Sequence, residues 1–181
     1  MFYGKISVGH TIVMLQSQPR RLKVKHTIGV VMENKPGVLS RISTLLARRS
    51  FNIYSITAGP TRDYEVTRMT VVVEGDEYVA DNAATEISKL EDVLEIERMT
   101  AADSTSREVI LIKIKVAPKE RSEIIDLAKV MDASIVDVTE STLMLEYSDK
   151  PEKIDVLIEL LSAYEVLDMA RGGAIALKKG E

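Results

Sequence analysis

The chain has 181 residues, enough for one large or two small domains, and its 45% apolar content supports a packed core rather than global disorder. Aromatics make up only 4% and Trp is absent, so aliphatic side chains must fill that core; the absence of Cys excludes disulfides, thiolate nucleophiles and cysteine metal sites and fits a reducing cytoplasm. The net charge of -4 is uneven: residues 1–25 hold five Lys and Arg and no acid, which leaves -9 on the rest, a poor surface for nucleic acid.

Residues 1–25 contain no apolar run long enough to span a bilayer and no small-residue cleavage signature after the apolar segment 6–15, so neither a membrane anchor nor a signal peptide is expected. They read as a flexible tail, with a start at Met14 or an extra edge strand as alternatives. Regular patterning begins at His26. Residues 26–33 are apolar and β-branched, a buried strand. Asn34-Lys35-Pro36-Gly37 breaks it, and Val38, Ile42, Leu45 and Leu46 then follow at helical spacing. Strands are expected at 52–58 and 66–74, a helix capped by Asp76 through about Leu90, and a fourth strand at 93–99. The order is βαββαβ.

Residues 101–106 are small and polar and read as a linker. The same order then repeats: a strand at 109–116, a helix at 119–131, a hairpin of 134–139 with 142–147, and a helix opening on Pro151. A last strand follows at 166–177, interrupted at Gly172-Gly173 by a bulge, a turn or a close backbone approach. The expected fold is α+β, two ferredoxin-like βαββαβ domains over residues 26–100 and 107–181. Such a unit puts both helices on one face of an antiparallel sheet, leaving the other face for a second domain or chain to cover.

Catalytic traces are few. His10 and His26 sit in the tail and at a strand start, and no His pair has metal-binding spacing. There is no phosphate-binding glycine loop and no G-x-S-x-G, while Glu120, Glu123 and Asp126 read as the solvated face of a helix. No catalytic residue, metal site or cofactor is expected on this chain, which points to a binding or regulatory module.

One constellation suits a ligand. A strand ends at Asn34 and a helix begins within a few residues, and the first N–H groups of a helix favour an anion such as an α-carboxylate. Gly37 lets a ligand approach the backbone, Asn34 offers donor and acceptor, Asn52 can add a second amide, and Val38, Leu39 and Ile53 can line a small apolar pocket. The set suits an amino-acid zwitterion with a short aliphatic side chain; the same run is also an ordinary turn and cap.

Asn34-Lys35-Pro36-Gly37-Val38-Leu39 followed by Phe51-Asn52-Ile53 resembles the ligand-binding signature of ACT domains. Residues 33–41 and 51–56 with Thr67-Arg68-Met69-Thr70 resemble, more specifically, the small subunit of acetohydroxyacid (acetolactate) synthase. The likeness continues through Arg107-Glu108, residues 135–139 and Ala170-Arg171-Gly172-Gly173, covering about residues 25–179. The resemblance implies an N-terminal ACT domain that forms a homodimer and binds valine, leucine or isoleucine. Asn34, Gly37, Val38 and Leu39 would come from one protomer, and Asn52 and Ile53 from the other. It also implies a catalytic large subunit as partner, activated and made feedback-sensitive by this chain, and thiamine diphosphate, Mg and FAD are expected there. A tandem-ACT amino-acid-responsive transcriptional regulator is the alternative. Ser50 departs from the family, which usually has Gly there; a left-handed residue is expected after the helix, at a cost of about 1 kcal/mol for a non-glycine.

Overall fold

A computed structural model describes residues 24–180, so the expectations for the tail before Val24 lie outside the described residues. The first unit runs β1 (Lys25–Glu33), α1 (Val38–Arg48), β2 (Asn52–Pro60), β3 (Val66–Glu74), α2 (Glu77–Ile87) and β4 (Val93–Met99). Its antiparallel sheet has the order β2-β3-β1-β4. The second unit runs β5 (Ser104–Lys115), α3 (Arg121–Met131), β6 (Ser134–Val138), β7 (Thr142–Asp149), α4 (Pro151–Leu160) and β8 (Glu165–Arg171). Its sheet order, β6-β7-β5-β8, repeats the first. Both units are therefore ferredoxin-like, as the sequence order suggests.

Strand alternation and helix spacing explain the two cores. Ile28, Val30 and Met32 of β1 and Met69, Val71 and Val73 of β3 point to one face, where Val38, Ile42 and Leu46 of α1 and Ala80, Ala83 and Ile87 of α2 meet them. In the second unit Ile110, Ile112 and Ile114 with Leu143 and Leu145 face Ile124, Ala128, Ile154 and Leu157. Each fully buried Ile or Leu contributes about 2 kcal/mol by leaving water, which is how so few aromatics suffice. Asp76 caps α2, accepting the Val79 N–H at 2.9 Å.

The two halves are joined differently from the expectation. Ser104–Ser106, expected in a linker, begin β5, and only the turn before them is irregular. The chain after Gly172-Gly173 is not a continuation of β8 but a short strand, β9 (Ile175–Lys178), that pairs with Ser104–Arg107. Polar Ser and Thr make Ser104–Ser106 read as loop; the pairing partner that turns them into strand lies some seventy positions away. β9 crosses the helix-free face of the first sheet, with Ala174 and Ala176 buried and the Ala176 N–H donating to Thr70 Oγ1 at 3.3 Å. This strap supplies part of the cover that the open face of the first sheet needed.

Candidate functional site

The end of β1 is fastened before the loop begins. Glu33 N–H donates to Asp92 O at 2.9 Å and Asn34 N–H to Glu65 O at 2.7 Å. The Asn34 side-chain Nδ2 donates to Tyr64 O at 2.8 Å, so its amide is oriented by the β2–β3 turn and its oxygen stays free to accept. Gly37 stands at the helix N-cap with φ +89°, a left-handed value that favours glycine, and among the described residues, its chain neighbours aside, only Arg41 comes within 4 Å of where a Cβ would be. Among the described residues no side chain caps α1 and its first turn holds no acid; the Val38 N–H turns back to Lys35 O at 3.4 Å, which leaves the Leu39 and Ser40 N–H groups at the positive helix end uncapped.

Residues 32–39 and Thr67 enclose a hollow of about 400 Å³ at this helix end. Val38 is buried at its base and Leu39 lies exposed at its rim. The flanking charges are neutralised in pairs. Lys35 Nζ lies 2.7 Å from Glu33 Oε2, and this hydrogen bond and its charge hold the ammonium above the usual lysine range. Arg41 is paired with Asp92.

Asn52 and Ile53 lie elsewhere. Asn52 faces Glu74 across the β2–β3 ladder, and its Nδ2 donates to the Glu74 carboxylate; Ile53 is half-buried against the first core. Glu33, next to Asn34, faces Val66 at the other end of β3. Eight residue steps along β3 separate the two ends, about 26 Å. The structure thus brings Asn34, Gly37, Val38 and Leu39 together and leaves Asn52 and Ile53 at the opposite end of the same sheet.

Ser50 takes φ 58°, the left-handed conformation expected of that position. Its N–H donates to Ala47 O at 3.0 Å and that of Phe51 to Leu46 O at 3.1 Å, which closes α1 in a Schellman motif. The turn that leads into Asn52 is therefore well formed despite the non-glycine residue.

Sequence reasoning left one buried ionic group unremarked. Glu108, 2% exposed, receives Arg171 Nε at 2.7 Å, and Arg171 Nη1 reaches Asp155 Oδ1 at 2.6 Å. The only signal was opposite charge at Glu108 and Arg171 on strands that the sequence order makes neighbours, and other charges on the same strands hid it. His26, foreseen at a strand start, is buried there, with its Nε2 3.2 Å from Gly75 O. Among the described residues no cluster of three His, Asp or Glu could hold a metal ion, and no helix is long and apolar enough to cross a membrane.

Comparison with known proteins bears on both units. A family model described as the small subunit of acetolactate synthase matches residues 107–180, and one described as the AHAS small subunit-like ACT domain matches residues 28–95. A protein of Archaeoglobus fulgidus named "Probable acetolactate synthase small subunit" is 38% identical over 87% of this chain and 98% of its own length. The chain belongs to the acetolactate synthase small-subunit family. The family member named acetolactate synthase small subunit in Mycolicibacterium smegmatis is 35% identical over 86% of this chain and 91% of its own length. The crystal structure of the acetolactate synthase small subunit from Thermotoga maritima superposes with a TM-score of 0.81 at 28% identity, covering 87% of this chain and 99% of that one. Membership in the acetolactate synthase small-subunit family makes the first unit an ACT domain and points to a regulatory, non-catalytic role.

Proposed function

We propose that this chain is the regulatory subunit of an acetolactate synthase, binding and activating a catalytic large subunit and making it sensitive to valine or a related branched-chain amino acid. The observation that carries the reading is the N-terminus of α1, with no side-chain cap, over a hollow lined by Asn34, Gly37 and Val38. An α-carboxylate takes the first-turn N–H groups, and the ammonium donates to the Asn34 side-chain oxygen that Tyr64 leaves free. The aliphatic side chain rests on Val38 and Leu39.

The separation of Asn52 from this loop supports a two-fold dimer. β2 is an edge strand running in the same direction as β1. Antiparallel pairing of β2 with β2 of a second copy sets the Asn52 end of one strand beside the Pro60 end of the other, which is the loop end of that sheet. Asn52 and Ile53 of the second copy then complete the site. Feedback inhibition follows if the ligand binds one arrangement of the complex more tightly, a coupling of about 1–3 kcal/mol in typical cases. Thiamine diphosphate, Mg and FAD would reside on the large subunit, and the complex in the cytoplasm. No two α-helices are consecutive among the described residues, so a helix-turn-helix regulator finds no support in these elements.

The test adds the purified chain to its cognate large subunit and follows acetolactate production with and without valine, leucine and isoleucine. A rise in rate that valine reverses, with the reversal lost in Gly37→Asp, is expected. An unchanged rate at saturating chain would remove the regulatory role.

A further inference from the structure

Where β9 crosses the first sheet it leaves a second cavity, of about 480 Å³, bounded by Thr57–Pro60, Arg68, Thr70, Thr105 and Arg107 and by the β9 residues Ile175–Leu177. It lies on the opposite face of the sheet from α1. Ala58, Pro60, Ile175 and Leu177 make its walls largely apolar, and the last two are more than half exposed. Two guanidiniums stand among them. Arg107 is half-buried, and its one side-chain hydrogen bond goes to the neighbouring Ser106 carbonyl at 2.8 Å; among the described residues no carboxylate lies within ion-pair distance of it. Arg68 gives Nη2 to Glu97 at 2.8 Å, while its Nε is buried with no hydrogen-bond partner. Thr57 Oγ1 is buried and unpartnered as well.

Arg107 has Asp149 as a nearby opposite charge but no direct ion pair among the described residues, and its half-buried guanidinium keeps donors that an acceptor entering the cavity can satisfy. Guanidinium forks match carboxylates in geometry and charge. A pocket of this size with apolar walls and few polar groups suits a small organic ligand. We propose that the seam between β9 and the first sheet is a second ligand site, which takes a small monocarboxylate with a short aliphatic body. The carboxylate meets Arg107, and the aliphatic body lies against Ile175 and Leu177. This site is independent of the loop at Gly37 and uses none of its residues.

The experiment titrates 3-methylbutanoate into the full chain by calorimetry, against wild type, Arg107→Gln, Arg107→Lys and Gly37→Asp, with 3-methylbutanamide and acetate as companion probes. Saturable binding of one acid per chain is expected in wild type and in Gly37→Asp, weakened about tenfold in Arg107→Gln by loss of the charged hydrogen bond. Arg107→Lys should bind with intermediate affinity and reads the same contact should the glutamine variant fold poorly. The neutral amide should not bind, and acetate should bind more weakly than 3-methylbutanoate. No saturable binding by the wild type, binding unaffected in both Arg107 variants, or binding abolished by Gly37→Asp would each overturn the seam site; the last would place the acid at the helix end.

Discussion

Arg171 locks onto Glu108 across the β5–β8 ladder, with Nε 2.7 Å from a carboxylate that is 2% exposed. The pair sits where β8 ends and the strap begins, with the Gly172 N–H donating to Val109 O at 2.8 Å immediately after it. Replacing Arg171 by Met strands a buried charge and should cost about 3–5 kcal/mol in urea unfolding. The double variant Arg171→Met, Glu108→Leu removes both charges and should recover much of that loss. A single variant as stable as wild type would show that Glu108 finds water or another partner.

Gly173 is seated against β2 so closely that an added Cβ would stand 2.3 Å from Thr57 Oγ1, with Ser55 Cβ at 3.2 Å and Ile56 O at 3.3 Å. Gly173→Ala should therefore push the strap off the sheet and destabilise the chain by about 1–3 kcal/mol. Adding Thr57→Ala removes the nearest atom, and the double-mutant cycle should show a favourable coupling between the two sites. Additive losses would mean that Gly173 does not bear on Thr57.

Ser50→Gly should stabilise the chain by about 1 kcal/mol, because φ 58° strains any residue with a Cβ while the Schellman hydrogen bonds are backbone only. Denaturant melts should show a higher midpoint with an unchanged slope. A lower midpoint would mean that the serine side chain contributes something the geometry does not show.

Residues 100–103 form a tight turn between the units, in which Thr100 N–H donates to Asp103 Oδ1 at 2.6 Å and Asp103 N–H to Thr100 Oγ1 at 3.3 Å. The first of these bonds holds the Asp103 carboxyl below its usual range. A depressed folded-state pKa means stability that is present above the unfolded-state value and is lost as pH falls through the folded one. The melting temperature should fall on acidification below the ordinary aspartate range, and Asp103→Asn should lower it at neutral pH while flattening the acid slope. A variant that tracks wild type at every pH would remove Asp103 from the acid response.

Subunit mixing tests the composite amino-acid site. Gly37→Asp and Asn52→Ala should each abolish valine binding alone. In a two-fold dimer, a heterodimer of the two variants pairs the intact loop of one with the intact Asn52 of the other. An equimolar mixture should then regain about a quarter of the wild-type stoichiometry by random pairing. No recovery after subunit exchange would place both residues in a single-chain site.

Much of this was readable from sequence, and the exceptions share a cause. The strict alternation of β1 and β3 and the spacing of Val38, Ile42 and Leu46 decide their own placement, because a one-residue slip would expose each apolar set. Asn34 and Gly37 are legible for the same local reason: the chain must turn within a few residues and start a helix. Ile175–Lys178 alternates in a way that suits β8 continued just as well as a separate strand. Only contacts made by Gly173, Ala174 and Ala176 with a sheet built from residues far earlier in the chain decide between the two. The Glu108–Arg171 pair escaped notice for the same reason, its partners lying 63 positions apart.

The strap also sets an order in time. A ribosome releases β1 to β4 complete, helices packed on one face, well before it has made residues 174–178, which lie over part of the other. During that interval the helix-free face of the nascent first unit, with Val72 and Met99 on it, lacks the strand that later crosses it. Anything that binds that face on a half-made chain must leave before β9 can close, so maturation of the N-terminal unit waits on synthesis of the C-terminal one.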